Sequence, residues 1–177
     1  MDQQLREPVL DEGPAEYSNH NFSQENKYDT KLLDTEKQNL YNQRQQLREN
    51  VRVGKQYEET NIKKIFYYFP FLRSEITLKM PSGIRFRADS IGRTEDGTNV
   101  IFEFKSSLNP RLSKNQREGF RELQTQAAVV VGRGKAGFEG GTVIPSIADG
   151  TRIVIKSPRG TTLIGQELDD SLWSRLQ

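Results

Sequence analysis

The sequence predicts an α/β fold, a mixed central sheet flanked by helices with a polar and helical extension at the amino terminus, on three observations. Residues 84–89 and 100–105 alternate apolar and polar side chains around Glu95-Asp96-Gly97, the period-two pattern of paired strands. A helix with a start signal at Ser113 carries an apolar stripe. Ala127 and Ala128 followed by Val129-Val130-Val131 have the length and β-branched content of a fully buried strand.

Taken in order, residues 1–29 are rich in Glu, Gln, Asn and Ser with scattered Pro and Gly and read as a linker or disordered tail. From Lys31 to Asn50 the pattern is helical, with Leu33, Leu40 and Leu47 one heptad apart. One leucine per heptad is too narrow a seam for a coiled coil, so this segment reads as a helix lying along the folded domain or docking on a partner protein. The expected division is an extension over 1–55 and a folded domain over 56–177.

A helix over 57–69 places Ile62, Ile65, Phe66 and Phe69 on a buried side, and Pro70 ends it. Glu58 and Glu59 fall in its first turn, where the helix dipole favours acids. The run Phe66-Tyr67-Tyr68-Phe69 reads as core, because a base-stacking platform needs exposed rings beside a basic groove. Residues 75–80 supply a strand.

In the hairpin, alternation puts Arg85, Arg87 and Asp89 on one face and Ile84, Phe86 and Ala88 on the other; Ile101, Glu103 and Lys105 likewise oppose Val100, Phe102 and Phe104. A three-residue loop built as a type I turn plus a left-handed residue wants Gly last, and Glu95-Asp96-Gly97 fits it. Thr94 then pairs with Thr98, and Asp89 falls directly across from Glu103. Carboxylates that close repel unless a proton or cation lies between them. Mg²⁺, which prefers oxygen ligands and keeps several waters, suits the position, with Mn²⁺ as a substitute.

An acid on one strand and Glu103-Phe104-Lys105 on the next resemble the PD-(D/E)xK, or restriction-endonuclease-like, nuclease superfamily. The resemblance implies an αβββαβ core and a Mg²⁺-dependent phosphodiesterase. It assigns metal ligation to Asp89, Glu103 and the backbone carbonyl of Phe104, and the positioning of the attacking water to Lys105. It also implies an additional metal-associated Glu on the first helix, for which Glu59 is chosen over Glu58. Ala88 stands where some members carry Pro, a variation that leaves the chemistry intact.

Ser113 opens the next helix as N-cap with Gln116 three residues on, a capping box. Gln116, Phe120, Leu123 and Ala127 share one face of it; Lys114, Arg117 and Arg121 share another. Gln116 has two readings, a cap or a catalytic residue aimed at the site, as in some nucleases of the superfamily. Lys114, Arg117 and Arg121 are candidate contacts to nucleic-acid phosphates or a solvated face. Residues 132–141 form a glycine-rich loop without P-loop or dinucleotide spacing, in which Arg133 and Lys135 are further candidates for backbone contact. Residues 142–147 and 151–156 read as two short strands, a hairpin extending the sheet, and 163–176 with Trp173 as a closing helix.

Composition is consistent with a polyanionic substrate. Residues 1–60 carry 8 basic and 12 acidic side chains, net −4, against 18 and 12, net +6, for 61–177, and a basic domain binds phosphates by counterion release. There is no cysteine, and the single histidine is His20. That excludes a thiol nucleophile, a Cys-rich zinc site and any mechanism needing two histidines. No apolar stretch suggests a membrane span or signal peptide.

The helix start Ser113-Lys114-Asn115-Gln116 and the Val-rich strand ending at Gly132 also look like the nuclease tips of bacterial polymorphic and contact-dependent toxins. This second resemblance implies an antibacterial DNase effector in interbacterial competition, with a cognate immunity protein as inhibitory partner. The domain is then a monomer or a complex with its inhibitor, delivered from the producing bacterium into the target-cell cytoplasm as part of something larger. A tRNA-cleaving RNase toxin on the same scaffold and a catalytically silent nucleic-acid-binding module are the alternatives, since fold alone does not set substrate.

Overall fold

The computed structural model describes residues 22–69 and 71–165, with side chains from Leu33 onward. Of the expected tail over 1–29, residues 1–21 with His20 lie outside the described residues, as do Pro70 and the segment from 166 with Trp173; residues 22–29 are not a linker but the start of a helix. The chain divides into two compact units between Leu47 and Arg48. In the first, the described residues are helical, and Leu33, Leu40 and Leu47 are all more than half exposed.

The elements in order are α1 (Phe22–Phe66), β1 (Arg73–Lys79), β2 (Arg85–Arg93), β3 (Asn99–Phe104), α2 (Lys114–Glu122), β4 (Ala128–Val130), β5 (Gly134–Lys135), β6 (Phe138–Glu139), β7 (Val143–Ile144), β8 (Arg152–Ser157) and β9 (Gly160–Ile164). Seven strands form one sheet in the order β7-β4-β1-β2-β3-β8-β9, and β5 and β6 form a separate hairpin. The sheet is mixed: β8 runs parallel to β3 while every other pairing is antiparallel. The α/β class and the order helix, three strands, helix, strand are therefore present among the described residues.

Two cores cover the two faces of β3. Ile101 joins Ile76, Phe86, Ala88, Ile91, Phe120 and Leu123 in one cluster, while Val100, Phe102 and Phe104 join Ile65, Phe69 and Val154 in the other. All six residues of β3 are consequently buried. The alternation in 100–105 suggested one polar face; the structure instead covers that face with α2, so Glu103 is 0% exposed. In β2 the alternation holds from Arg85 to Ala88 and is lost from Ser90 to Gly92, all buried.

Several expectations are corrected. The helix before the sheet begins far upstream of residue 57, so Glu58 and Glu59 are not in a first turn and the dipole has no bearing on them. Phe66 and Tyr67 are 54% and 88% exposed, so only Phe69 and, in part, Tyr68 belong to the core. Val129 is exposed because β4 alternates rather than being covered on both faces. Residues 142–147 and 151–156 are not a hairpin: β7 pairs with β4 at one edge, and β8 lies beside β3 and forms its hairpin with β9. Leu163 and Ile164 accordingly belong to a strand.

The seat of α2 on the sheet is set by Gly119. A Cβ built there would lie 2.4 Å from the Phe86 ring, which itself meets Phe120 edge-on with centroids 5.2 Å apart. Overpacking of this kind costs about 1–3 kcal/mol, against about 1 kcal/mol gained when Ala replaces Gly in a helix. Gly119→Ala is therefore expected to lower stability by up to about 2 kcal/mol, read from the midpoint of urea unfolding; a midpoint above the parent's would show that α2 is not held at this distance.

Candidate active site

The β2–β3 ladder has the register read from the turn: Ser90 pairs with Phe102, Ile91 with Ile101, Gly92 with Val100 and Arg93 with Asn99. Thr94 N–H donates to the Thr98 carbonyl at 2.9 Å and Gly97 N–H to the Thr94 carbonyl at 3.0 Å. Gly97 has φ 88°, the left-handed conformation a glycine supplies at least cost. One residue past the last pair, the side chain of Asp89 bridges the strands: its Oδ2 accepts the Phe104 N–H at 2.7 Å.

Glu103 is held from the opposite direction. Its Oε2 accepts from Gln116 Nε2 at 2.7 Å and from Lys105 Nζ at 3.2 Å. Gln116 Oε1 in turn accepts from Lys105 Nζ at 3.2 Å and from the Ser113 N–H at 3.0 Å, and Ser113 Oγ accepts the Gln116 N–H at 3.2 Å. The capping box expected of Gln116 is complete, and the same side chain also reaches the carboxylate and the amine. One amide thereby couples the start of α2 to the end of β3.

The remaining oxygen, Glu103 Oε1, is buried with no hydrogen-bond partner. Burial and then the neighbouring Asp89 charge push the Glu103 carboxyl up to about 8, opposed only in part by Lys105. A buried carboxylate oxygen beside another carboxylate is costly unless a proton or cation lies there. The donors present suit a divalent ion: two carboxylates and the Phe104 carbonyl would hold Mg²⁺ or Mn²⁺, with waters completing the shell. No group of three Asp, Glu, His or Cys side chains with metal-holding geometry occurs among the described residues, so any such ion would depend on carbonyl and water ligands.

Glu58 is the residue sequence reasoning placed second. It is half-buried, and its carboxyl is raised by burial, then by the charges of Asp89 and Glu75, with Arg87 opposing. Glu59 is exposed and lies 3.9 Å from Lys55. The signal was available in the helical spacing: Glu58 precedes Ile62 and Ile65 by four and seven residues, on the face that packs on the sheet. Glu59 precedes Phe66, which is exposed.

The candidate nucleic-acid contacts are dispersed. Lys114, Arg117 and Arg121 are exposed on α2, and Arg117 Nη1 donates to the Leu112 carbonyl at 2.9 Å. Arg133 and Lys135 are exposed near the β5–β6 hairpin. No hydrogen bond or ion pair among the described residues joins these five to Asp89, Glu103 or Lys105. Beside Lys105, the loop from β3 to α2 borders an open cleft of about 520 Å³ lined by Phe104, Lys105, Ser106, Ser107, Asn109 and Arg111. No known protein family, curated protein or solved structure matches the chain, and no helix among the described residues is long and apolar enough to cross a membrane.

Without a divalent ion, the Glu103 carboxyl binds its proton more tightly folded than unfolded, since about 8 lies above the ordinary 4.5. The native state then holds more protons between those values, so stability falls as pH rises through that window. Thermal melts of the metal-free protein from pH 5 to 8 should show a decline that Glu103→Gln removes; equal slopes for both proteins would contradict the environment described for this carboxyl.

Proposed function

We propose that this protein is a metal-dependent nuclease, a DNase, hydrolysing phosphodiester bonds at Asp89, Glu103 and Lys105. The observation that carries the reading is the unpartnered Glu103 Oε1, buried beside Asp89 while Oε2 is taken up by Lys105 and Gln116. A structural ion pair needs no second carboxylate crowded against it. Asp89, Glu103 and the Phe104 carbonyl would hold a divalent ion, which would supply an activated water and shield the charge that builds on the phosphate oxygens.

The residues of the chain have separate tasks in that reaction. Asp89 is oriented by the Phe104 N–H, and Glu103 by Gln116, so neither carboxylate is free to rotate away. Lys105 donates two of its three N–H groups to Glu103 and Gln116. The third is left for the attacking water or a phosphate oxygen, which it orients as the new P–O bond forms and the bond to the leaving oxygen breaks. Glu58 adds negative charge next to Asp89 and strengthens the attraction for a cation.

DNA as substrate, delivery into a target bacterium and inhibition by an immunity protein rest on the resemblance carried by Ser113–Gln116 and the strand ending at Gly132. Incubating the purified chain with plasmid DNA and with total tRNA, with and without Mg²⁺, tests the chemistry. Plasmid cleavage should require Mg²⁺ and stop in EDTA, and Asp89→Asn, Glu103→Gln and Lys105→Met should each lower it at least about 100-fold while the protein stays folded. Undiminished cleavage in excess EDTA, or by all three variants, would end the proposal. Cleavage of tRNA alone moves the substrate to RNA, and binding without cleavage makes the chain a silent module.

A further inference from the structure

The cleft beside Lys105 has a composition that the catalytic triad does not explain. Its six lining residues include two cations, two hydroxyls and an amide, and no carboxylate, although 24 acidic residues occur in the chain. Its volume of about 520 Å³ lies in the ~300–1,000 Å³ range of sites that enclose a small organic group, well beyond what one water or ion needs. Lys105 belongs to both places: its ammonium holds Glu103, and its side chain forms part of the cleft wall. The loop is shaped from within, Ser107 Oγ accepting the Asn109 N–H at 3.1 Å. Ser106 sits under α1 where the helix carries Gly54, whose added Cβ would approach Ser106 Oγ to 3.8 Å. Arg111, on the far side of the loop, is exposed and has no hydrogen bond or ion pair with another described residue.

We propose that this cleft seats the nucleotide next to the cleaved bond, with Arg111 and Ser106 binding its phosphate. The inference rests on the nuclease reading and names where its substrate strand runs. A guanidinium in the lining offers paired donors matched to phosphate oxygens, and the absence of acids from the lining leaves no local charge to repel them. Lys105, shared between the cleft and the carboxylate pair, sets the spacing from the bound phosphate to the reacting one. The candidates Lys114, Arg117, Arg121, Arg133 and Lys135 do not line this cleft; a strand entering it would engage Arg111 instead.

Fluorescence anisotropy with a labelled 20-nucleotide DNA, single-stranded and duplex, tests the site without relying on turnover, using Glu103→Gln in EDTA to prevent cleavage. Adding Arg111→Ala should weaken binding several-fold and lessen the dependence of log K on log salt by about one unit; Arg111→Lys should restore part of the affinity, and Ser106→Ala should weaken binding more modestly. Lys37→Ala, at an exposed cation outside the candidate contacts, serves as the control for general loss of positive charge. In otherwise native protein, Arg111→Ala should raise KM and leave kcat nearly unchanged. Unchanged affinity and salt slope for Arg111→Ala, or a loss no larger than that for Lys37→Ala, overturns the proposal. If the native protein cleaves nothing but Arg111→Ala still shows the specific loss of binding, the cleft stands as a phosphate site and the nuclease reading alone fails.

Discussion

The buried carboxylate of Glu103 constrains the architecture around it. A group 0% exposed, with a second acid close enough to raise its affinity for a proton, can be kept only by neighbours that compensate it. Two do so, Lys105 just past the end of β3 and Gln116 from α2, and both act on one oxygen, which leaves the other buried without a partner. Burial comes from the position of β3 in the middle of the sheet, between two apolar clusters. A strand at an edge would leave the same acids in water and the same pair without consequence.

This explains why elements distant in sequence meet here. The capping box of α2 does local work at Ser113 and long-range work at Glu103 through one amide, so the start of the helix cannot shift without disturbing the acid. Gly119, one turn further along, lets α2 approach Phe86 closely enough for that reach. On the other face, Ile65 and half-buried Ile62 pack against the sheet and bring Glu58 within electrostatic range of Asp89. Two helices on opposite faces thus deliver polar groups to the end of one hairpin.

Much of this was legible in the chain because it depends on local rules. The glycine of Glu95-Asp96-Gly97 set the loop, and the loop set the register from Arg93–Asn99 to Ser90–Phe102; the two acids lie just past that last pair, where Asp89 reaches the Phe104 N–H. The Ser113–Gln116 cap followed from side-chain reach within one turn. What failed was non-local. Whether β3 shows one polar face or none depends on what covers it. That β8 runs parallel beside β3, instead of pairing with residues 142–147, is a choice among strand partners that turn chemistry does not specify. The start of α1 was misplaced because polar residues give a long helix little apolar periodicity, and with it went the dipole explanation for Glu58 and Glu59. The cleft was missed because Ser106, Ser107 and Arg111 form no motif; only the folded loop brings them together.

Calorimetric titration of the metal-free protein with Mn²⁺ near neutral pH, repeated in buffers of different ionisation enthalpy, measures ion binding and the protons it displaces without depending on any substrate. If a cation belongs between Asp89 and Glu103, binding should be saturable, should release protons as the buried acid ionises, and should be lost in both Asp89→Asn and Glu103→Gln. Binding that survives in those variants, or no binding by the native protein at millimolar ion, would contradict the assignment of this carboxylate pair to a metal.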